Sequence, residues 1–175
     1  MKKLHLSARS IPAFLALLTV VAYGLLVPWL GFYWDDWAFA WIARTYGPAE
    51  FLPAFIGVRP LLGPIFMVTT ALLPESPLAW QFFGLLIRFT AGFAAWWSLG
   101  KVWPEHKRQV LFASLLFLVF PGYGQQWVAF THINQEWIPL IFILFSFGLT
   151  ALALRDRRRF LPLTVAAVVL GGLGL

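Results

Sequence analysis

A long stretch without charged residues runs from Ser10 to Trp34, near the N-terminus, and it limits the fold more than any other feature. A helix of about 20 apolar residues crosses about 30 Å of hydrocarbon, and this stretch is long enough to do so. The whole chain is 61% hydrophobic and 11% charged, which leaves too few polar residues to cover a water-soluble globule of this size. The sequence therefore predicts an all-α polytopic membrane protein, built as a bundle of transmembrane helices.

The first apolar stretch follows Lys2, Lys3 and Arg9, so a cleaved signal peptide is the alternative to a first transmembrane helix. The stretch is longer than a typical signal-peptide core and lacks a clear small-x-small cleavage site, which favours a helix that stays in the membrane. The chain has no cysteine, which excludes disulfides and thiolate metal sites.

Most of the 13 Lys and Arg residues fall in three clusters separated by apolar sequence. Positive residues concentrate in cytoplasmic segments, so all three clusters and the N-terminus are predicted to be cytoplasmic. The acidic residues between the clusters are predicted to face outside. This pattern indicates a bacterial inner (plasma) membrane protein and argues against a nucleic-acid partner, despite the net charge of +6. The clusters are Lys2, Lys3 and Arg9; Lys101, Lys107 and Arg108; and Arg155, Arg157, Arg158 and Arg159.

Five crossings satisfy this charge pattern, and tryptophans lie near the predicted helix ends, as in the aromatic belts of membrane proteins. The whole of 1–175 is interpreted as one membrane domain. Its last segment stops without a flanking charge, so we expect the chain to be the N-terminal part of a longer protein. The predicted crossings are 11–31, 77–100, 109–123, 136–154 and 160–175.

The first outer loop, 32–60, is predicted to be ordered. A short helix around Trp37–Arg44, with its apolar side on the membrane interface, would end at Gly47-Pro48, and a second would cover Ala49–Ile56. The following segment, 61–73, reaches only about 20 Å as a helix, and a crossing there would place the next basic cluster outside. It is predicted to be a shallow or re-entrant outer helix, with a tilted full crossing as the alternative.

Asp35 and Asp36 are the first candidates for chemistry, because they are adjacent carboxylates at the outer end of the first helix. They could cap the helix that follows, where a carboxylate favours the positive end of the dipole. Alternatively, neighbouring acids in a partly desolvated site raise each other's proton affinity, which suits a general base. A divalent metal is compatible with the pair, but the sequence does not require one.

Arg88 lies near the middle of the predicted helix 77–100, where a charge is costly unless it faces a partner or a polar cavity. Its partner could be an acid on a further helix, or the phosphate of a lipid-linked ligand, which a guanidinium binds with two parallel hydrogen bonds. Arg59 shares the outer side with the acidic pair and is a second candidate for phosphate binding.

The outer loop 121–136 is rich in amide, hydroxyl and aromatic side chains, which are the groups that hold sugars. His132 and Glu136 are four residues apart and would share a helix face, but metal binding would need a third ligand. A polar cap on a helix that starts near Glu136 is the alternative role. The candidates for substrate binding are Trp34, Trp37, Tyr123, Gln125, Gln126, His132 and Glu136.

Taken in order, four short motifs resemble those of the GT-C superfamily of integral-membrane glycosyltransferases, such as protein O-mannosyltransferases, aminoarabinose transferases and O-antigen glucosyltransferases. An acidic motif after the first helix is matched by Trp34-Asp35-Asp36-Trp37, and an Arg-Pro-Leu element by Arg59-Pro60-Leu61-Leu62. Arg88 is similar to a mid-membrane basic residue of that superfamily, and Phe120-Pro121-Gly122-Tyr123 to its outer turn. The outer turn lacks the histidines and the acid of some relatives.

The resemblance implies a cell-envelope enzyme that moves a sugar from a polyprenyl phosphate to a glycan, lipid or protein acceptor on the outer face. Asp35 or Asp36 would activate the acceptor hydroxyl, and Arg59 or Arg88 would hold the lipid phosphate. The fragment alone is expected to be inactive. The alternative is a non-enzymatic polytopic protein, such as a transporter or lipid flippase, but that class buries acids near mid-membrane. A structural assembly subunit is the third class.

Overall fold

A computed structural model of the chain describes residues 9–120 and 127–175, and these residues form helices and turns with no strand among them. The basic residues Lys2 and Lys3 and the loop residues Tyr123, Gln125 and Gln126 lie outside the described residues. The helices are α1 Ile11–Trp29, α2 Asp35–Tyr46, α3 Phe51–Ile56, α4 Leu62–Leu72, α5 Pro77–Val102, α6 Lys107–Leu118, α7 Ala129–Arg155 and α8 Phe160–Leu173.

Three of the described helices, α1, α5 and α7, are long and apolar enough to cross a membrane. Helices α6 and α8 have 12 and 14 residues, too few to cross the hydrocarbon layer unaided. The membrane class of the chain is supported, whereas the five crossings expected from the charges stay a prediction. Part of the predicted crossing 109–123 falls on residues that the structure does not describe.

The helix α7 begins at Ala129, seven positions before the start that the sequence suggested. The hypothesis that the polar loop caps a helix starting near Glu136 is therefore wrong. The reason is that a distant carboxylate, Asp36, accepts hydrogen bonds from the first turn of α7, and a local sequence pattern does not reveal such a partner.

The bundle has two distinct ends. Gln81, near the start of α5, donates to the carbonyls of Gly31 and Trp127, so the end of α1 and the start of α7 meet there. At the opposite end, the Arg155 side chain donates to the carbonyl of Val102 at 3.1 Å. The basic clusters that follow α5 and α7 therefore share one end, as the charge pattern predicted, and Asp36 belongs to the other end.

The first outer loop is helical where the sequence predicted helices, and α2, α3 and α4 pack on a shared core of aromatic rings. Phe66 is fully buried and stacks on Phe51 at 5.1 Å and on Phe55 at 4.9 Å between ring centroids. Pro64 lies in the first turn of α4, where its missing N–H costs nothing. The core rings are Phe32, Phe39, Phe51, Phe55, Phe66, Trp80 and Phe130.

The helix α2 packs on the protein through its small side chains. Ala40 and Ala43 are buried in the aromatic core, whereas Trp37 and Trp41 are exposed. The small side chains allow close packing, so the large indole rings form the outward face. The expected apolar side is therefore divided between the protein core and the surface.

The close contact between α3 and α4 gives a first prediction. A Cβ atom on Gly63 would lie 2.9 Å from the Phe51 carbonyl oxygen and 3.2 Å from the Leu52 Cα, and backbone atoms cannot move aside cheaply. Gly63→Ala should lower the free energy of unfolding by about 1–3 kcal/mol. Gly57→Ala is the matched control, because a Cβ there meets nothing within 4 Å. Equal stability of both variants in detergent unfolding would contradict this packing.

Candidate functional site

A cavity of about 590 Å³ lies between the outer half of α1, the first half of α5 and the start of α7. Its size is typical of small-molecule sites, and its walls are mostly aliphatic. The polar side chains that line it include Gln81, Arg88 and His132, and no carboxylate is among its described lining residues. At about 1.5 Å per residue, Gln81 and Arg88 lie about 10 Å apart along α5, so the two side chains mark different depths of the cavity.

Arg88 is held between two aromatic rings. Its guanidinium carbon lies 4.7 Å from the centroid of the Tyr23 ring and 4.9 Å from that of Trp137, and the residue is 7% exposed. Cation–π contacts stabilise a desolvated charge by about 2 kcal/mol each. A guanidinium donates its hydrogen bonds in its own plane. The structure thus places Arg88 in the cavity wall with its charge stabilised by rings.

Both rings come from π turns. Tyr23 lies in the turn Val20–Gly24 of α1, and Trp137 lies in the turn Ile133–Trp137 of α7. A π turn inserts extra backbone into a helix, changes the direction of its side chains and occurs frequently at functional sites. The Tyr23 hydroxyl also donates to the Leu118 carbonyl at 2.6 Å, which fixes the ring against the end of α6.

His132 and Glu136 form a second polar pair on α7. The Nδ1 atom of His132 lies 2.8 Å from a carboxylate oxygen of Glu136, which confirms that the two residues share a helix face. His132 is half-buried and lines the cavity, whereas the Glu136 side chain is 62% exposed. The imidazole therefore has one nitrogen engaged by a carboxylate, and this contact orients the ring.

Asp36 is fully buried, and its carboxylate binds the first turn of α7. It accepts hydrogen bonds from the backbone N–H of Ala129 at 3.1 Å and of Thr131 at 2.8 Å, and from the Thr131 hydroxyl at 2.8 Å. The N–H of Tyr33 donates to it at 3.4 Å. Burial raises the pKa of Asp36 above its ordinary value, and the hydrogen bonds from Thr131 oppose that rise. Asp36 is thus an N-terminal cap supplied from a distant helix.

Asp35 lies in a different environment, because it is exposed at the first position of α2. The preceding residue, Trp34, has a φ of 50°, a left-handed conformation that is strained for a bulky side chain. The hydrogen bonds of Asp36 to Tyr33 and to α7 hold this turn in place. The two carboxylates do not form a mutually desolvated pair, and the raised pKa of Asp36 has burial as its first cause.

The remaining candidates lie away from the cavity or at its edge. Arg59 is exposed in the turn before α4, and Trp34 and Trp37 are 63% and 62% exposed. None of these three is among the lining residues. Trp127 and Trp137, two further tryptophans, both line the cavity.

Sequence reasoning missed Tyr23 and Gln81. Gln81 precedes Arg88 by seven residues on one helix, and this two-turn spacing was a signal that both face the same side. Tyr23 is the hydroxyl-bearing ring in the outer half of an otherwise apolar first helix, but nothing in the sequence places it beside Arg88. Among the described residues, no group of three His, Asp or Glu side chains is arranged to hold a metal ion.

Known proteins do not help to assign the site. Comparisons with protein-family models, with curated protein sequences and with solved structures found no match to this chain.

The unequal environments of the two carboxylates give a second prediction. Asp36→Asn replaces one acceptor oxygen with an amide that faces backbone N–H donors. Since a hydrogen bond to a charged group contributes about 1.5–3 kcal/mol, the variant should lose at least that much stability. The exposed Asp35→Asn should change the free energy of unfolding by less than about 0.5 kcal/mol. Denaturant unfolding of both purified variants checks the difference, and equal losses would show that Asp36 does not hold α7.

Proposed function

We propose that this chain forms the donor-binding part of a membrane glycosyltransferase, which moves a sugar from a polyprenyl phosphate to an acceptor on the outer face of a bacterial inner membrane. The observation that carries this proposal is Arg88, a cation in contact with the rings of Tyr23 and Trp137 in the wall of a mostly apolar cavity. A lipid phosphate combines one anionic group with a long apolar chain. The Arg88 cation suits the anionic group, and the aliphatic walls of the cavity suit the chain.

The contacts of Asp36 bear on which carboxylate takes the proton from the acceptor hydroxyl. Ala129 lines the cavity, and its N–H donates to Asp36, so the start of α2 is fixed against the cavity wall. Asp36 itself is buried and its oxygens are occupied by four donors, so it is a poor base for an incoming hydroxyl. Its exposed neighbour Asp35 takes that role in the proposal.

The proposed reaction is a displacement at the anomeric carbon. The acceptor hydroxyl forms the new bond to that carbon while Asp35 takes its proton. The bond from the anomeric carbon to the phosphate oxygen breaks, and its electron pair stays on the phosphate. Arg88 binds this phosphate through hydrogen bonds in the guanidinium plane, and such charge-assisted bonds are stronger than neutral ones.

The third prediction concerns topology. We propose five crossings, with the N-terminus and the segments that follow α5 and α7 in the cytoplasm, because basic residues accumulate there. Two exposed acids on this cysteine-free chain offer matched probes. In intact cells, an impermeant thiol reagent should label Glu50→Cys and should leave Glu105→Cys unlabelled. Labelling of position 105 from outside would contradict the orientation.

The fourth prediction concerns transfer by the full-length protein. Loss of a general base lowers rates by about 10²- to 10⁴-fold, so Asp35→Asn should reduce sugar transfer from a polyprenyl-phosphate donor by that factor without loss of folded protein. Glu50→Gln is the control, because it removes an exposed carboxylate from the same outer loop. Transfer at the wild-type rate by Asp35→Asn would remove the assigned base.

Arg88 variants separate phosphate recognition from charge alone. Arg88→Ala should abolish transfer, and Arg88→Lys should restore little of it, because lysine keeps the charge but lacks the planar fork that binds two phosphate oxygens. Full activity of Arg88→Lys would show that the position needs only a positive charge. Movement of the lipid-linked sugar across the bilayer without any transfer would favour the flippase class instead.

A further inference from the structure

The His132–Glu136 pair has a chemical role that the binding of the donor alone does not require. Glu136 engages Nδ1 of His132 at 2.8 Å, which leaves Nε2 as the nitrogen that a ligand in the cavity would meet. A carboxylate on one imidazole nitrogen orients the ring. The pair is therefore an imidazole held in position by a neighbouring carboxylate.

The π turn of α7 brings this pair to the side of Arg88. In a π turn the hydrogen bond joins residues five apart, so His132 and Trp137 fall on nearly the same helix face about one turn apart. The Trp137 ring stacks on the Arg88 guanidinium, and His132, Trp137 and Arg88 all line the same cavity. A phosphate that binds beside Arg88 would thus share this cavity with His132.

The charge of a lipid phosphate changes during sugar transfer. A sugar phosphodiester carries one negative charge, whereas the monoester released from it has a second pKa near 6 and so carries almost two charges at pH 7. Arg88 matches the first charge. On the basis of the proposed function, we infer that His132, held by Glu136, is the residue that recognises the second charge as it develops.

When the bond between the anomeric carbon and the phosphate oxygen breaks, the electron pair stays on that oxygen. In the inferred step His132 carries a proton on each ring nitrogen, and its Nε2–H donates a hydrogen bond to the oxygen. The acceptor proton goes separately to Asp35. His132 is then a catalytic residue that touches the leaving group, and Glu136 is a positioning residue that acts through it.

Binding of two matched lipids tests this inference without the transfer reaction. The probes are a prenyl monophosphate and its methyl ester, a phosphodiester with the same chain. Because a charge-assisted hydrogen bond distinguishes them, the full-length wild-type protein should bind the monoester about tenfold more tightly at pH 7. His132→Asn should lose this preference and bind the diester as the wild type does. Arg88→Ala should weaken the binding of both lipids.

A control variant and a second test variant complete the experiment. His106→Asn is the matched control, because His106 is exposed just before α6 and does not line the cavity, so the monoester preference should persist. Glu136→Gln removes the charge behind the imidazole at an exposed site and should reduce the preference about threefold or more, even if His132→Asn folds poorly.

The outcomes separate the two proposals. If the wild type binds monoester and diester equally, or if both the His132 and Glu136 variants keep the preference, the inference about His132 is overturned while donor binding at Arg88 stands. If neither lipid binds, or if Arg88→Ala binds both as the wild type does, the proposed function itself is overturned.

Discussion

The buried carboxylate of Asp36 is the interaction on which the arrangement of the outer side depends. A buried charge is costly unless hydrogen bonds compensate it, and here backbone N–H groups at the positive end of α7 provide that compensation. The contact starts α7 at Ala129 and fixes the strained turn at Trp34. It also brings the aromatic core of α2, α3 and α4 against Phe130, which stacks on Trp80 at 3.9 Å between ring centroids.

The same contact divides two adjacent acids into different roles. Successive residues of a helix point about 100° apart, so Asp35 and Asp36 cannot both face the start of α7. Asp36 faces inward and stabilises the fold, and Asp35 remains exposed at the surface. A substitution of Asp36 therefore disturbs the cavity through Ala129, and its effect on activity would be confused with loss of structure. Only the exposed neighbour permits a clean test of catalysis.

Local signals in the sequence predicted the outer helices well, because Gly47-Pro48 and the turn before Pro60 mark their ends. The charge pattern also predicted that the clusters after α5 and α7 share one end. Contacts between distant segments were beyond such reasoning. The start of α7 depends on Asp36, and the partners of Arg88 include two rings from π turns, which leave no recognisable pattern in a sequence. The role of the outer turn stays a prediction, since its residues lie outside the described ranges.

The way Arg88 is stabilised bears on what the cavity can bind. The contacts of the Arg88 guanidinium with the rings of Tyr23 and Trp137 lower the cost of burying its charge, and these rings carry no formal negative charge. The cavity has mostly aliphatic walls and no carboxylate among its described lining residues, which is compatible with the amphipathic anion of the proposed function. This electrostatic argument, and not the acidic pair, is the stronger physical support for a lipid phosphate.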